Sequence, residues 1–212
     1  MENIKDLNEK YEAKKGKIKE RLDDFQRVLE LPDEKIFSEL AFCIFTPQSR
    51  AKLCWSAVQS LEKRNLLLSG NEQEIFKFLT GIRFPYNKSK YLVEARETFT
   101  ENGSIKIRDR LFNKNSTELR EFLVENIKGL GMKEASHFMR NVGMGKDLAI
   151  LDRHILKNLK KFGVIEEVPK TLTEKKYLEI ENKFREFSSS INIPMEELDL
   201  LFWSEETGEI FK

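Results

Sequence analysis

Apolar residues fall at helical spacing along almost the whole chain, and nowhere do they alternate over the length of a strand. Ile4, Leu7 and Tyr11 open one stripe, and Ile18, Leu22, Phe25 and Leu29 continue it. Pro32-Asp33 restarts a helix, in which Ile36, Phe37, Leu40, Ala41, Ile44 and Phe45 make the broad apolar face of a buried element. Thr46-Pro47-Gln48-Ser49 interrupts that run, with Ser49 placed to cap a following helix that carries Leu53, Ala57, Val58 and Leu61. Further helices are expected at about 71–80, 88–102, 116–128, 132–142, 153–161, 173–188 and 194–203. Turn formers are scarce, with 10 Gly and 5 Pro, which argues against a turn-rich all-β chain. The 16 Phe and an apolar fraction of 40% suffice for a real core. The fold class is therefore all-α.

Cys43 and Cys54 are too few for a disulfide framework or a four-cysteine metal or iron–sulfur site, and they suit a reducing compartment. No apolar run reaches the length of a membrane span, and the N-terminal segment lacks the apolar stretch of a signal peptide. A cytoplasmic chain with no membrane association is expected. The net charge is +1, but the charge is unevenly placed. Residues 81–114 hold eight basic against four acidic side chains, and residues 128–161 hold eight against three. Residues 174–212 reverse this, with five basic against ten acidic. A basic middle and an acidic end suit a polyanion-binding face with a solvated back, although ordinary solvated helix faces produce similar spreads.

The informative stretch is Ile127-Lys128-Gly129-Leu130-Gly131-Met132-Lys133-Glu134-Ala135, where one helix ends and another begins. The two glycines, Gly129 and Gly131, permit positive φ and a hairpin too tight for side chains. The amides at the new helix start then point outward together and attract a DNA phosphate without reading sequence. Lys133 opens that helix. Asp152 lies nineteen residues further on, between the apolar run Leu148-Ala149-Ile150-Leu151 and the helix starting at Arg153-His154. Asp152 there is also an ordinary helix N-cap, and Lys133 an ordinary phosphate contact. A capping carboxylate is fixed in place and ionised, so the two roles of Asp152 are compatible.

Gly129-Leu130-Gly131-Met132-Lys133 followed by Asp152 in a Leu-Asp-Arg-His context resembles the helix-hairpin-helix DNA glycosylase superfamily. Over most of the chain the resemblance is closest to the second subfamily of 8-oxoguanine DNA glycosylase/AP lyases. Phe42-Cys43-Ile44-Phe45-Thr46-Pro47-Gln48-Ser49, Gly81-Ile82-Arg83-Phe84 and the ending Phe202-Trp203…Phe211-Lys212 carry it. No cysteine lies beyond Cys54, so the C-terminal iron–sulfur loop of the endonuclease III branch is missing.

The resemblance implies one helix-hairpin-helix glycosylase domain over 1–212, built as two helical subdomains with a DNA-binding cleft between them. The hairpin and catalytic segment would occupy about 116–161. It implies Lys133 as the nucleophile and Asp152 as the group that stabilises positive charge on the sugar and manages the lysine proton. Attack on C1′ requires a flipped nucleotide, and by resemblance Gln48 would act as void filler or wedge, while Arg83 would reach DNA or the orphaned base. Phe84 and Trp203 would supply flat faces for the base. The terminal carboxylate of Lys212 would accept hydrogen bonds from the damaged guanine. His137, at i+4 from Lys133, and His154 could touch DNA, but satisfied structural histidines explain both better. Duplex DNA containing 8-oxoguanine is the expected partner, with no cofactor, no metal and no obligate protein partner. A glycosylase for another oxidised base, and a non-catalytic helix-hairpin-helix binding module, are the competing readings.

Overall fold

The computed structural model describes residues 3–111 and 113–212. It is helical almost throughout. Helix α1 spans Ile4–Arg27, α2 Asp33–Phe45, α3 Ala51–Lys63, α4 Leu66–Ser69, α5 Glu72–Phe76 and α6 Pro85–Phe99. A minimal antiparallel hairpin, β1 Thr100–Glu101 with β2 Ser104–Ile105, precedes α7 Ile107–Leu111. Then follow α8 Ser116–Asn126, α9 Met132–Asn141, α10 Arg153–Lys161, α11 Glu174–Ser190 and α12 Met195–Thr207. No described helix is long and apolar enough to cross a membrane.

The core divides in two. One cluster gathers α2 to α9, from Ile36 to Leu148, around a central α2 whose residues Ile36 to Phe45 are all buried. The other joins the buried stripe of α1 (Leu7, Tyr11, Ile18, Leu22, Phe25) to α10, α11 and α12. The N-terminal helix thus completes the C-terminal subdomain. Tyr11 seals that closure by donating to Glu197 at 2.7 Å, both groups buried.

The two subdomains are locked by a buried, bidentate ion pair. Arg120 on α8 donates to both oxygens of Glu181 on α11, at 2.7 and 3.0 Å. The apolar run Leu148–Leu151 is not a strand. It crosses between the cores as a buried strap whose Ala149 and Leu151 backbone groups bond side chains of α11. Ala149 N donates to Glu181 at 2.7 Å, Tyr177 donates to Ala149 O at 2.6 Å, and Leu151 N donates to Tyr177 Oη at 3.3 Å. Without those partners a buried strap would carry orphaned backbone groups.

Several local expectations need correction. Ser49 does not cap α3. Arg50 occupies the N-cap without a side-chain bond, and Ser49 Oγ instead accepts from Arg83 N at 3.0 Å, tying two loops together. Helix α6 starts at Pro85 rather than near 88, because Pro suits the first helical position. Helix α5 ends at Phe76, short of the expected 80, and α4 and α7 have no counterpart in the periodic pattern because each is about one turn long.

Candidate active site

A cleft of about 1010 Å³ opens between the two cores. One wall comes from the α2–α3 loop (Thr46, Gln48, Ser49) and Arg83, the other from the strap, Asp152 and Trp203, and Lys133, His137 and Lys212 also line it.

The hairpin beside the cleft is built from a single left-handed glycine. Gly129 has φ +89, and a Cβ there would sit 2.7 Å from Tyr91 Cδ2, so both backbone and neighbour demand glycine. Gly131 differs from expectation. Its backbone is extended, with φ −100 and ψ −173, a conformation open to any residue. It serves as the N-cap of α9, where Glu134 reaches back to accept from Gly131 N at 3.3 Å. The first intrahelical bond, Ala135 N to Gly131 O at 2.9 Å, leaves the earlier helix amides facing outward.

Lys133, the second residue of α9, is partly buried, and its Nζ lies 2.8 Å from Glu134 Oε1. Glu134 therefore uses one oxygen on the hairpin and the other on the lysine. Asp152 is the N-cap of α10, and its Oδ1 accepts from His154 N and Ile155 N, both at 2.8 Å. Two bonds on one oxygen fix the carboxylate plane and leave the other oxygen to the cleft.

A second carboxylate stands behind Asp152, one the sequence reading missed. Asp199 on α12 is buried, lines the cleft, and accepts from Arg140 Nη1 at 2.6 Å through Oδ2. Burial pushes its pKa up to about 7, and the negative charge of Asp152 adds to that, against the pull of Arg140. An acid four residues before Trp203 on one helix face was the available signal. His137 is buried and packs edge-on against Phe42, with ring centroids 5.5 Å apart. Burial holds its pKa well below the usual imidazole range, reinforced by Arg140, Lys133 and Lys212, so the ring is neutral. His154 is half-buried, with Nδ1 3.8 Å from Glu206 Oε2.

The C-terminal tail folds back. Gly208, at φ +83, stops α12, and Phe211 packs edge-on to Phe42 while Arg21 Nε donates to its carbonyl. Lys212 is buried with its ammonium on Glu39 and 3.7 Å from the Trp55 ring centroid. Asn141 Nδ2 steadies the other Glu39 oxygen at 3.1 Å. The cage for the Lys212 ammonium is not legible in the sequence, because Glu39 on α2 and Trp55 on α3 lie far from the tail in the chain.

The sequence-derived residues are thus partly assembled. Lys133, Asp152, Gln48, Arg83, Trp203 and Lys212 line one cleft. Phe84 is not among the lining residues. It is 52% exposed, at φ +56, with the Arg83 guanidinium 5.5 Å over its ring. A left-handed backbone before Pro85 turns its side chain out to solvent rather than into a pocket. Gly129 and Gly131 sit in the hairpin that opens α9.

Residues 18–193 match the family model of 8-oxoguanine DNA glycosylases. The chain is 50% identical to the 8-oxoguanine DNA glycosylase/AP lyase of Fusobacterium nucleatum, over 100% of this chain and 98% of that protein. It superposes on the crystal structure of the Thermotoga maritima 8-oxoguanine DNA glycosylase with a TM-score of 0.87 at 32% identity, covering 99% and 98% of the two chains. The Methanocaldococcus jannaschii enzyme, in complex with a 15mer DNA containing 8-oxoguanine, superposes with a TM-score of 0.86 at 37% identity, covering 97% and 99%. The hairpin, the cleft and the lysine–aspartate pair thus come with full-length kinship, and the chain belongs to the 8-oxoguanine DNA glycosylase family of helix-hairpin-helix proteins.

Proposed function

We propose that this chain is a bifunctional repair glycosylase that excises 8-oxoguanine from duplex DNA and then cleaves the abasic strand. The observation that carries this reading is the meeting of Lys133 and Asp152 on one cleft, next to a hairpin with outward amides. The whole chain, 1–212, acts as one domain, with hairpin and catalytic segment at about 116–161, in the cytoplasm that holds a prokaryotic chromosome.

Lys133 Nζ leaves Glu134, passes its proton to Asp152, which later returns it to the departing base, and attacks C1′ of the flipped nucleotide. The C1′–N9 bond breaks, and the base departs with the bonding electrons. The sugar ring then opens to a Schiff base on Lys133, and loss of a C2′ proton expels the 3′ phosphate. The fixed Asp152 carboxylate stabilises positive charge as it develops on the sugar, in a cleft that water leaves when DNA binds. The Gly129–Gly131 hairpin holds a phosphate, Gln48 fills the vacated stack, and Arg83 reaches the partner strand. Trp203 offers the base a flat face, and the Lys212 carboxylate accepts from its N–H edge. Phe84, exposed beside Arg83, meets DNA outside the pocket rather than walling it.

Borohydride trapping tests the reading. Wild type is expected to form a covalent adduct with 8-oxoguanine duplex, and Lys133→Gln to bind that duplex without trapping. Efficient trapping by Lys133→Gln would place the nucleophile elsewhere. Binding without any excision by wild type would leave the non-catalytic module.

A further inference from the structure

Lys88 is a buried lysine that pairs with no carboxylate among the described residues. It lies on α6 and is 4% exposed. Its Nζ donates to Phe45 O at 2.7 Å, to Pro47 O at 2.7 Å and to Ser49 Oγ at 3.1 Å. All three acceptors belong to the end of α2 and the loop that follows. Two of them, Pro47 and Ser49, flank Gln48 directly. Ser49 Oγ also accepts from Arg83 N at 3.0 Å, so the same ammonium reaches the Arg83 loop through one hydroxyl.

The arrangement has a cost that packing does not explain. Burying an ammonium without an opposing carboxylate disfavours its charged form. Burial lowers the Lys88 pKa to about 8, with Cys54 and Glu134 opposing and Lys133 adding to the fall. Gln48 is held at φ +56, a left-handed conformation that a non-glycine residue adopts only when its surroundings impose it. Three charge-assisted bonds to the residues around it are such an imposition.

We propose that Lys88 is a positioning residue for nucleotide extrusion: it holds Gln48 in its strained conformation and joins the Gln48 and Arg83 loops into one rigid probe of the duplex. The proposal rests on the reading of Gln48 as the void-filling residue. Lys88 acts on the opening of the helix and not on the chemistry at C1′. Its loss therefore burdens a paired lesion more than one already unstacked.

The test compares single-turnover excision of 8-oxoguanine paired with cytosine in duplex DNA and of 8-oxoguanine in a single-nucleotide bulge, where most of the pairing is already lost. Lys88→Met is expected to slow the paired substrate by about tenfold or more and the bulged one by less than about threefold. Strand cleavage at a pre-formed abasic site should change as little as the bulged reaction. Gln48→Ala should show the same split, and the double variant should lose little more than either single one. Equal loss on all three substrates, or no loss on any, overturns the role of Lys88. If Gln48→Ala shows the split and Lys88→Met does not, the Gln48 reading stands and the Lys88 proposal falls. If Gln48→Ala changes nothing, the reading of Gln48 fails and takes the proposal with it. Should Lys88→Met not fold, Ser49→Ala removes the shared hydroxyl and must give the same split, weaker in size, or the proposal is wrong.

Discussion

Two single residues carry most of the electrostatic interest. The Lys212 ammonium is anchored by Glu39 and the Trp55 face, and on the proposed reading its carboxylate meets the damaged base. On that reading, a residue added after Lys212 removes the charge that the base would meet. Appending a C-terminal tag, or removing Phe211-Lys212, should slow 8-oxoguanine excision by at least about tenfold while sparing cleavage of a pre-formed abasic site, which needs no base contact. Glu39→Gln should weaken excision in the same direction by loosening the anchor. A tagged enzyme working at the untagged rate would refute the carboxylate. Asp199 makes a separate prediction. Its carboxyl titrates near 7 because burial and Asp152 favour the protonated form. Ionised Asp199 adds negative charge close to the sugar, so single-turnover excision should rise as pH passes upward through about 7. Asp199→Asn should flatten that limb, and an unchanged pH–rate profile would remove Asp199 from the site's electrostatics. The stability sign is opposite. The folded state binds the Asp199 proton more tightly than the unfolded chain, so this group's contribution is largest in acid and is lost as pH rises through about 7.

Among the elements, the hairpin separates two glycines that look equivalent in sequence. Gly129 is required by its φ of +89 and by the Tyr91 ring, whereas Gly131 has an extended backbone, and a Cβ there would approach only Glu134 Oε2, at 3.4 Å. Gly129→Ala should therefore cost about 1–2 kcal/mol of stability from the left-handed backbone alone, measured by denaturant unfolding. Gly131→Ala should cost less, about 0.5–1 kcal/mol, because its extended backbone accepts a side chain but Ala caps a helix less well than Gly. Any loss of duplex binding it causes would then report crowding of the bound phosphate, equal for damaged and undamaged DNA. Selective loss of lesion preference would contradict a backbone-holding role. Helix α9 itself was legible, because Ala135, Phe138, Met139 and Val142 repeat at helical spacing just after the glycines. The short elements α4 and α7 were not, since a single turn is too brief to show a period.

At the scale of the whole molecule, the Arg120–Glu181 pair joins the cores beneath the strap that delivers Asp152. The two side chains are 3% and 4% exposed, so removing Arg120 leaves the buried Glu181 charge with only the Ala149 amide and the Arg185 guanidinium, 3.9 Å away, to offset it. Arg120→Met should destabilise the fold by about 3–5 kcal/mol, read as a lowered unfolding midpoint. Simultaneous replacement of both partners by apolar residues should recover much of that loss. If Arg120→Met unfolds like wild type, the pair is not the lock described. The cleft between the cores also collects basic side chains, Arg83, Lys133 and Arg153 among them, so binding to undamaged duplex should weaken steadily as salt rises.

The sequence by itself determined the helical class, the hairpin, the lysine that follows it and the capping aspartate. Each is written in local spacing: the period of apolar residues, a glycine where the backbone must turn left-handed, an acid in front of a helix. The tertiary structure alone decided the rest. It joined α1 to the C-terminal subdomain, because a stripe of Leu7, Tyr11, Ile18, Leu22 and Phe25 states that it must be covered but not by what. It turned Phe84 outward and kept Trp203 on the cleft, a distinction set by one backbone angle before Pro85. It brought Asp199 behind Asp152, put Glu39 under Lys212 and set Lys88 beneath Gln48. Those pairs lie 47, 173 and 40 residues apart in the chain, and proximity between residues so far separated leaves no period for a sequence to display.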